Sequence, residues 1–108
     1  MSKTSPTQRS LKLIRTNGYQ TVQIVEVWIP FGNGVRRDLF NFIDILAIND
    51  DGKVLAVQTT SYSNISARCK KIADNEHIAR VRAAGWKIEV HGWHKKKNKW
   101  EVRIVDVS

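Results

Sequence analysis

Apolar and polar residues alternate along Gln20–Ile29 (QTVQIVEVWI), with Val25, Val27 and Ile29 on one side of an extended chain and Val22, Ile24, Glu26 and Trp28 on the other. This period predicts a first strand, which Pro30 and Gly32-Asn33-Gly34 end in a loop. A second strand is expected over Asp38–Ile48 (DLFNFIDILAI), followed by a hairpin turn at Asn49-Asp50-Asp51-Gly52. The unbroken apolar run Val54–Val57 then reads as a third strand buried on both faces. Ahead of the strands, Ser10–Asn17 has helical spacing, with Ser10 as cap, Gly18 as stop and a start reaching back to about Thr7. After them, a longer helix from Asn64 to Ala84 keeps Ile65, Cys69 and Ile72 on one face and stops at Gly85; Asp74-Asn75 is a point where it can kink or split. Trp86–Trp93 and Lys99–Val107 are two further strands joined by His94–Asn98. The order α-β-β-β-α-β-β predicts an α/β domain with a mixed five-stranded sheet and helices on both faces.

Length and charge sharpen this picture. The 108 residues are enough for one domain with a core that needs neither disulfides nor a structural metal. A net charge of +8 favours a polyanionic partner, most often nucleic acid, through counterion release and steering; a basic but inert surface is the bland alternative. Cys69 is the only cysteine, which excludes a disulfide framework and a thiolate metal site. The polar residues Met1–Ser10 lack the apolar stretch of a signal peptide, no run approaches membrane-spanning length, and no basic amphipathic helix suits a membrane surface. The expectation is a cytoplasmic protein with no membrane partner.

The chemistry gathers where polar residues interrupt apolar strands. Asp44 lies between Phe42-Ile43 and Ile45-Leu46, where a carboxylate is costly unless it is paired or holds a cation. Gln58 and Thr60 share one face of the third strand, and hairpin counting places Gln58 nearly opposite Asp44. Glu26, on the first strand, can point to the same place. An oxygen-rich pocket of this kind suits Mg²⁺ or Mn²⁺. Plainer readings stand beside it: Asp44 paired with an arginine, Gln58 and Thr60 packed at a strand end, Glu26 exposed at an edge. His77, His91 and His94 show no metal-ligand spacing with one another, and no nucleophile elbow or phosphate-binding Gly-rich loop is present.

These residues and this element order resemble the PD-(D/E)xK nuclease superfamily, with the three-layer restriction-endonuclease-like fold. The likeness is nearest to its small phage and archaeal members, including Holliday-junction resolvases, and covers roughly Thr7 to Val107. The resemblance implies a metal-binding aspartate at Asp44, the acidic-x-lysine motif at Gln58 and Thr60, and Glu26 completing the metal shell. Ile43 stands in place of the motif's proline, Gln58 in place of a carboxylate, and Thr60 in place of the lysine thought to orient water and offset phosphate charge. Replacement cations would come from Arg68 and Lys71, which share a helical face with Asn64, or from Arg36 and Arg37. The helix start near Ser61, Ser63 and Asn64 offers free N–H groups to a phosphate. Lys95, Lys96 and Lys97, flanked by Trp93 and Trp100, form either a solvated hairpin tip or a phosphate contact. The implied activity is that of an Mg²⁺- or Mn²⁺-dependent DNA endonuclease with Asp44, Gln58, Thr60 and Glu26 in its site, DNA coming before RNA as partner and branched DNA suggested by the resemblance; a domain this small reads a long duplex poorly alone, which would call for a homodimer with two sites on two strands. The alternatives are a catalytically inactive nucleic-acid-binding module on the same fold, and an accessory protein that binds another protein.

Overall fold

The computed structural model describes residues 5–30, 32 and 34–108, with the side chain of Arg36 also outside the description. Phe31 and Asn33 of the expected loop, and the first four residues of the polar arm, therefore lie outside the described residues. In chain order the elements are α1 (Pro6–Thr16), β1 (Thr21–Ile24), β2 (Val27–Ile29), β3 (Val35–Arg37), β4 (Ile45–Ile48), β5 (Val54–Ser61), a 3-10 turn (Tyr62–Asn64), α2 (Ile65–Ala73), α3 (Ile78–Ala83), β6 (Lys87–Lys96) and β7 (Lys99–Asp106).

Five strands form one mixed sheet in the order β1-β4-β5-β6-β7, in which only β5 and β6 run parallel. The parallel step follows from the crossover through α2 and α3, since a tight hairpin can join only antiparallel neighbours. Alternation along β5 divides the core. Leu55 and Val57 meet Leu11 and Ile14 of α1, together with Ile45 and Ala47. Ala56 packs on the opposite side with Ile88 and Val90, under Ile65, Ile72, Ile78 and Val81 of α2 and α3. The expected α/β architecture, with a mixed five-stranded sheet and helices on both faces, is what the chain adopts. Among the described residues no helix is long and apolar enough to cross a membrane.

Four boundaries differ from the pattern-based expectation, each for a local reason. Ser5, not Ser10, caps α1, its Oγ accepting the Gln8 N–H at 3.1 Å with Pro6 in the first turn. The expected first strand breaks after Ile24: Val25 N–H still donates to Asp44 O, but beyond it the chain leaves the sheet and β2 pairs with β3. The long helix splits where Asp74-Asn75 is expected to break it, the Asn75 Oδ1 accepting the His77 N–H at 2.7 Å while its Nδ2 donates to Phe40 O. The last hairpin is tighter than expected. β6 and β7 pair as far as Lys96 and Lys99, leaving Lys97 and Asn98, both at positive φ, as a two-residue turn.

The fourth difference matters most for the site. The second strand starts at Ile45 rather than Asp38, because Phe40 and Asn41 adopt left-handed conformations with φ of 52° and 68°. Leu39 and Ile43 exchange backbone hydrogen bonds across this turn. Residues 39–43 thus form a miniature hairpin, wedged into the core by the fully buried Phe42 and Ile43.

Candidate metal centre

Three ladders, each continued by one position, converge on the same point. Continuing the β4–β5 register places Asp44 opposite Gln58, and the Asp44 N–H donates to Val57 O. The miniature hairpin places Asp38 opposite Asp44, and continuing β2–β3 places Glu26 opposite Asp38. As a result, one carboxylate oxygen each from Glu26, Asp38 and Asp44 lies within 4.8 Å of the others. The arrangement could hold a metal ion.

Asp44 is 3% exposed and rigidly placed. Its Oδ2 accepts three hydrogen bonds: Thr59 N–H at 2.8 Å, Thr59 Oγ1 at 3.1 Å and Gln58 Nε2 at 3.1 Å. The Thr59 hydroxyl is in turn 2.9 Å from Thr7 Oγ1 on α1, and Thr7 also reaches Glu26 Oε1 at 3.4 Å. The first turn of α1 is thereby tied to the carboxylates. Gln58, 3% exposed, spends its amide N–H on Asp44, and its Oε1 is buried with no hydrogen-bond partner among the described residues. A buried acceptor left this way costs about 1–3 kcal/mol, and a hard cation would satisfy it.

The group opens into a cleft of about 490 Å³ at the C-terminal end of β5. Thr60 lines it, as do Ser61 and Asn64 at the rim and Arg68 from α2. The rim is set by Gly92 on β6: a Cβ there would lie 2.3 Å from Ile65 side-chain atoms and 3.2 Å from Tyr62 Cα, so only glycine lets the start of α2 settle on the sheet. Asn64 Nδ2 donates to Ser61 Oγ, and Ser63 Oγ is 3.4 Å from Ser61 Oγ. Lys71 is exposed on α2 and does not line the cleft; nor does Arg37, exposed on β3. The Arg36 side chain lies outside the description. Lys95, Lys96 and Lys97 sit on the β6–β7 hairpin, which runs three residues, about 10 Å, past the Ser61–Trp93 pair at the cleft end of the sheet.

Reasoning from the sequence brought together Asp44, Gln58, Thr60 and Glu26, and the fold does place all four at this cleft. It missed Asp38 and Thr59. As the first residue of a long strand Asp38 carries no site role; the signal for one is the symmetric spacing DLFNFID, with an aspartate at each end of a short turn. Thr59 alternates to the α1 side of β5, away from Gln58 and Thr60, and reaches Asp44 through its backbone N–H and hydroxyl, contacts that residue type does not signal.

A second polar group lies on the α1 side of the sheet. His91, 1% exposed, has Nδ1 2.9 Å from Ser10 Oγ and Nε2 2.9 Å from Glu89 Oε1, and Trp93 Nε1 donates to Ser10 Oγ at 2.8 Å. The order Ser-His-Glu has the form of a hydrolytic triad, yet Ser10 is 0% exposed, so no substrate carbonyl can reach it. The network fastens α1 to β6. The His91 hydrogen bond, foremost, holds the Glu89 carboxyl below its ordinary range against the opposing effect of burial, with Lys87 adding attraction. Stability from ionised Glu89 is therefore present above the unfolded carboxyl pKa of about 4.3 and lost as pH falls through the lower folded value. Glu89→Gln is expected to lower the melting temperature near neutrality, with the gap to wild type closing below about pH 4. A gap that persists unchanged down to pH 3 would contradict this.

The fold and the cleft define an α/β domain with a three-carboxylate, amide-backed pocket at one end of a mixed sheet. Compared with protein-family models, curated proteins and solved structures, the chain gives no match.

Proposed function

We propose that this protein is a metal-dependent phosphodiesterase acting on nucleic acid, DNA before RNA, with the three-layer arrangement of the PD-(D/E)xK nucleases. The observation that carries the reading is the unpartnered, buried Gln58 Oε1 beside three converging carboxylates. Asp44, Glu26 and Asp38 would hold the ion, and Gln58 would add its carbonyl oxygen. A donor set made wholly of oxygen fits Mg²⁺ or Mn²⁺ better than a softer metal. When bound, such an ion polarises a phosphoryl oxygen and acidifies a water.

The chain's own residues account for the rest of the chemistry. Thr59 and Gln58 fix the Asp44 carboxylate by hydrogen bonds to one oxygen, leaving the other for the ion. Thr60 lines the cleft, and its hydroxyl would orient an attacking water there. Arg68 supplies the positive charge that the family draws from a lysine, offsetting charge that develops on the phosphate. The net charge of +8 brings the polyanion to the cleft. A homodimer would set two clefts on two strands, as branched DNA requires.

Two measurements test the reading. Mn²⁺ is expected to raise the melting temperature: at a hundred times Kd a bound ion adds about 2.7 kcal/mol, or roughly 10–20 °C for a domain of this size. Cleavage of plasmid, single strands, a flap and a four-way junction is then expected with Mg²⁺ or Mn²⁺ and not with EDTA. Neutral Gln58 and the hydroxyl of Thr60, where a carboxylate and a lysine would stand, favour a second reading: a nucleic-acid-binding module that has lost catalysis. Tight binding without cutting under any metal would establish that reading instead.

A further inference from the structure

We propose that the groove between α1 and the β6–β7 hairpin binds single-stranded nucleic acid, one base stacking on Trp100 and a neighbouring phosphate resting on Arg9. The groove, about 380 Å³, lies on the α1 side of the sheet, where Arg9 and Lys12 of α1 face Trp93 of β6 and Trp100 of β7. Its walls include Arg9, Lys12 and Leu13 from α1 and Trp93 and Trp100 from the hairpin, and no acidic residue lines it. Trp100 is 45% exposed on an edge strand, unusual for an indole that could have been covered.

The Arg9 guanidinium lies over this indole, 3.3 Å from the ring centroid, and Lys95 is 5.9 Å away. Arg9 Nε is buried with no hydrogen-bond partner among the described residues. Desolvation also pulls the guanidinium below its ordinary pKa, so an anion in the groove would relieve an existing cost. Arg9 covers one indole face in the free protein, so a phosphate that draws the guanidinium aside uncovers that face for a base, with Lys12 alongside and Lys96, Lys97 and Lys99 at the tip.

The form of the partner follows from the indole. A base can stack on Trp100 only when its own ring face is free, which a continuous duplex denies it. The groove also adjoins the cleft. Pro6 and Thr7 of α1 line the cleft while Arg9 and Lys12 line the groove, and β7 is two strand spacings, about 10 Å, from β5. If the cleft cuts phosphodiesters, and this link alone rests on the reading above, its substrate carries a single-stranded segment beside the cut.

The test is binding in EDTA, where cleavage plays no part. Fluorescence anisotropy would compare oligothymidylate, oligouridylate and a duplex of equal length on wild type, Trp100→Ala and Arg9→Ala. Trp100→Ala is expected to weaken single-strand binding roughly five- to a hundredfold and duplex binding by less than about twofold. Arg9→Ala should weaken single-strand binding and flatten its salt dependence. Equal affinity of Trp100→Ala and wild type for the single strand, or an equal loss on duplex, would overturn the proposal.

A second measurement uses only the wild-type chain. Oligothymidylate should protect Trp100 from oxidation, read by peptide mass spectrometry. Absence of protection would overturn the proposal, as would a Trp100 already protected in the free protein under conditions where sedimentation shows a dimer. Single-strand binding without any cutting would leave the groove standing and remove the nuclease reading; duplex cutting without single-strand binding would do the reverse.

Discussion

Asp44→Asn is expected to lower metal-dependent strand cleavage by at least about a hundredfold while leaving the metal-free protein as stable as wild type or slightly more so. The two halves of this result have one physical cause. The Asp44 Oδ2 receives Thr59 N–H, Thr59 Oγ1 and Gln58 Nε2, and one oxygen of the same carboxylate lies within 4.8 Å of the Glu26 and Asp38 carboxylates. An asparagine keeps an acceptor for the three internal donors and turns an amide toward the carboxylates. It removes one negative charge from a crowded site, which does not harm the metal-free fold, and deprives a divalent ion of a ligand. The measurement is a paired one: melting in EDTA and in Mn²⁺, and cleavage of the best substrate. Wild type should gain melting temperature from Mn²⁺ and the variant should not. Cleavage by the variant at wild-type rate would remove Asp44 from the chemistry, and a collapse of its metal-free melting temperature would make Asp44 structural.

Phe42→Ala is expected to cost about 3–5 kcal/mol of stability, lowering the melting temperature by upwards of about 12 °C. Phe42 is 1% exposed and belongs to the cluster beneath α2 and α3. Truncation leaves a cavity that neighbours from two layers cannot easily fill. The site is affected as well, because Phe42 and Ile43 hold the miniature hairpin whose ends carry Asp38 and Asp44. At a temperature where the variant remains folded, its Mn²⁺ affinity is expected to fall by at least about tenfold, the usual scale for residues that orient ligands. Chemical denaturation and metal titration of the same preparation separate the two effects. A loss below about 1 kcal/mol would mean that the turn is held by other contacts.

The sequence announced the layers of this protein because burial on a sheet or under a helix imposes a period. Val54–Val57 could only be an interior strand, Ile65 and Ile72 marked the inner face of a helix, and the strand–helix order required a mixed sheet. The pairing of Asp44 with Gln58 was legible too, since a hairpin turn of known length fixes which residues lie opposite. Two kinds of information lay outside the pattern. Backbone conformation at Phe40 and Asn41 folded an apparent strand into a turn; phenylalanine carries no signal for positive φ, so the juxtaposition of Asp38 with Asp44 stayed hidden. Contacts between elements remote in the chain were equally silent. Thr7 meeting Thr59, Ser10 meeting His91 and Arg9 stacking on Trp100 each depend on where α1 lies across the sheet. The sequence by itself determined which residues had to be buried and, through strand register, the Asp44–Gln58 pair. Only the tertiary structure decided which polar side chains share a cleft, because that depends on distances between segments that no local period encodes.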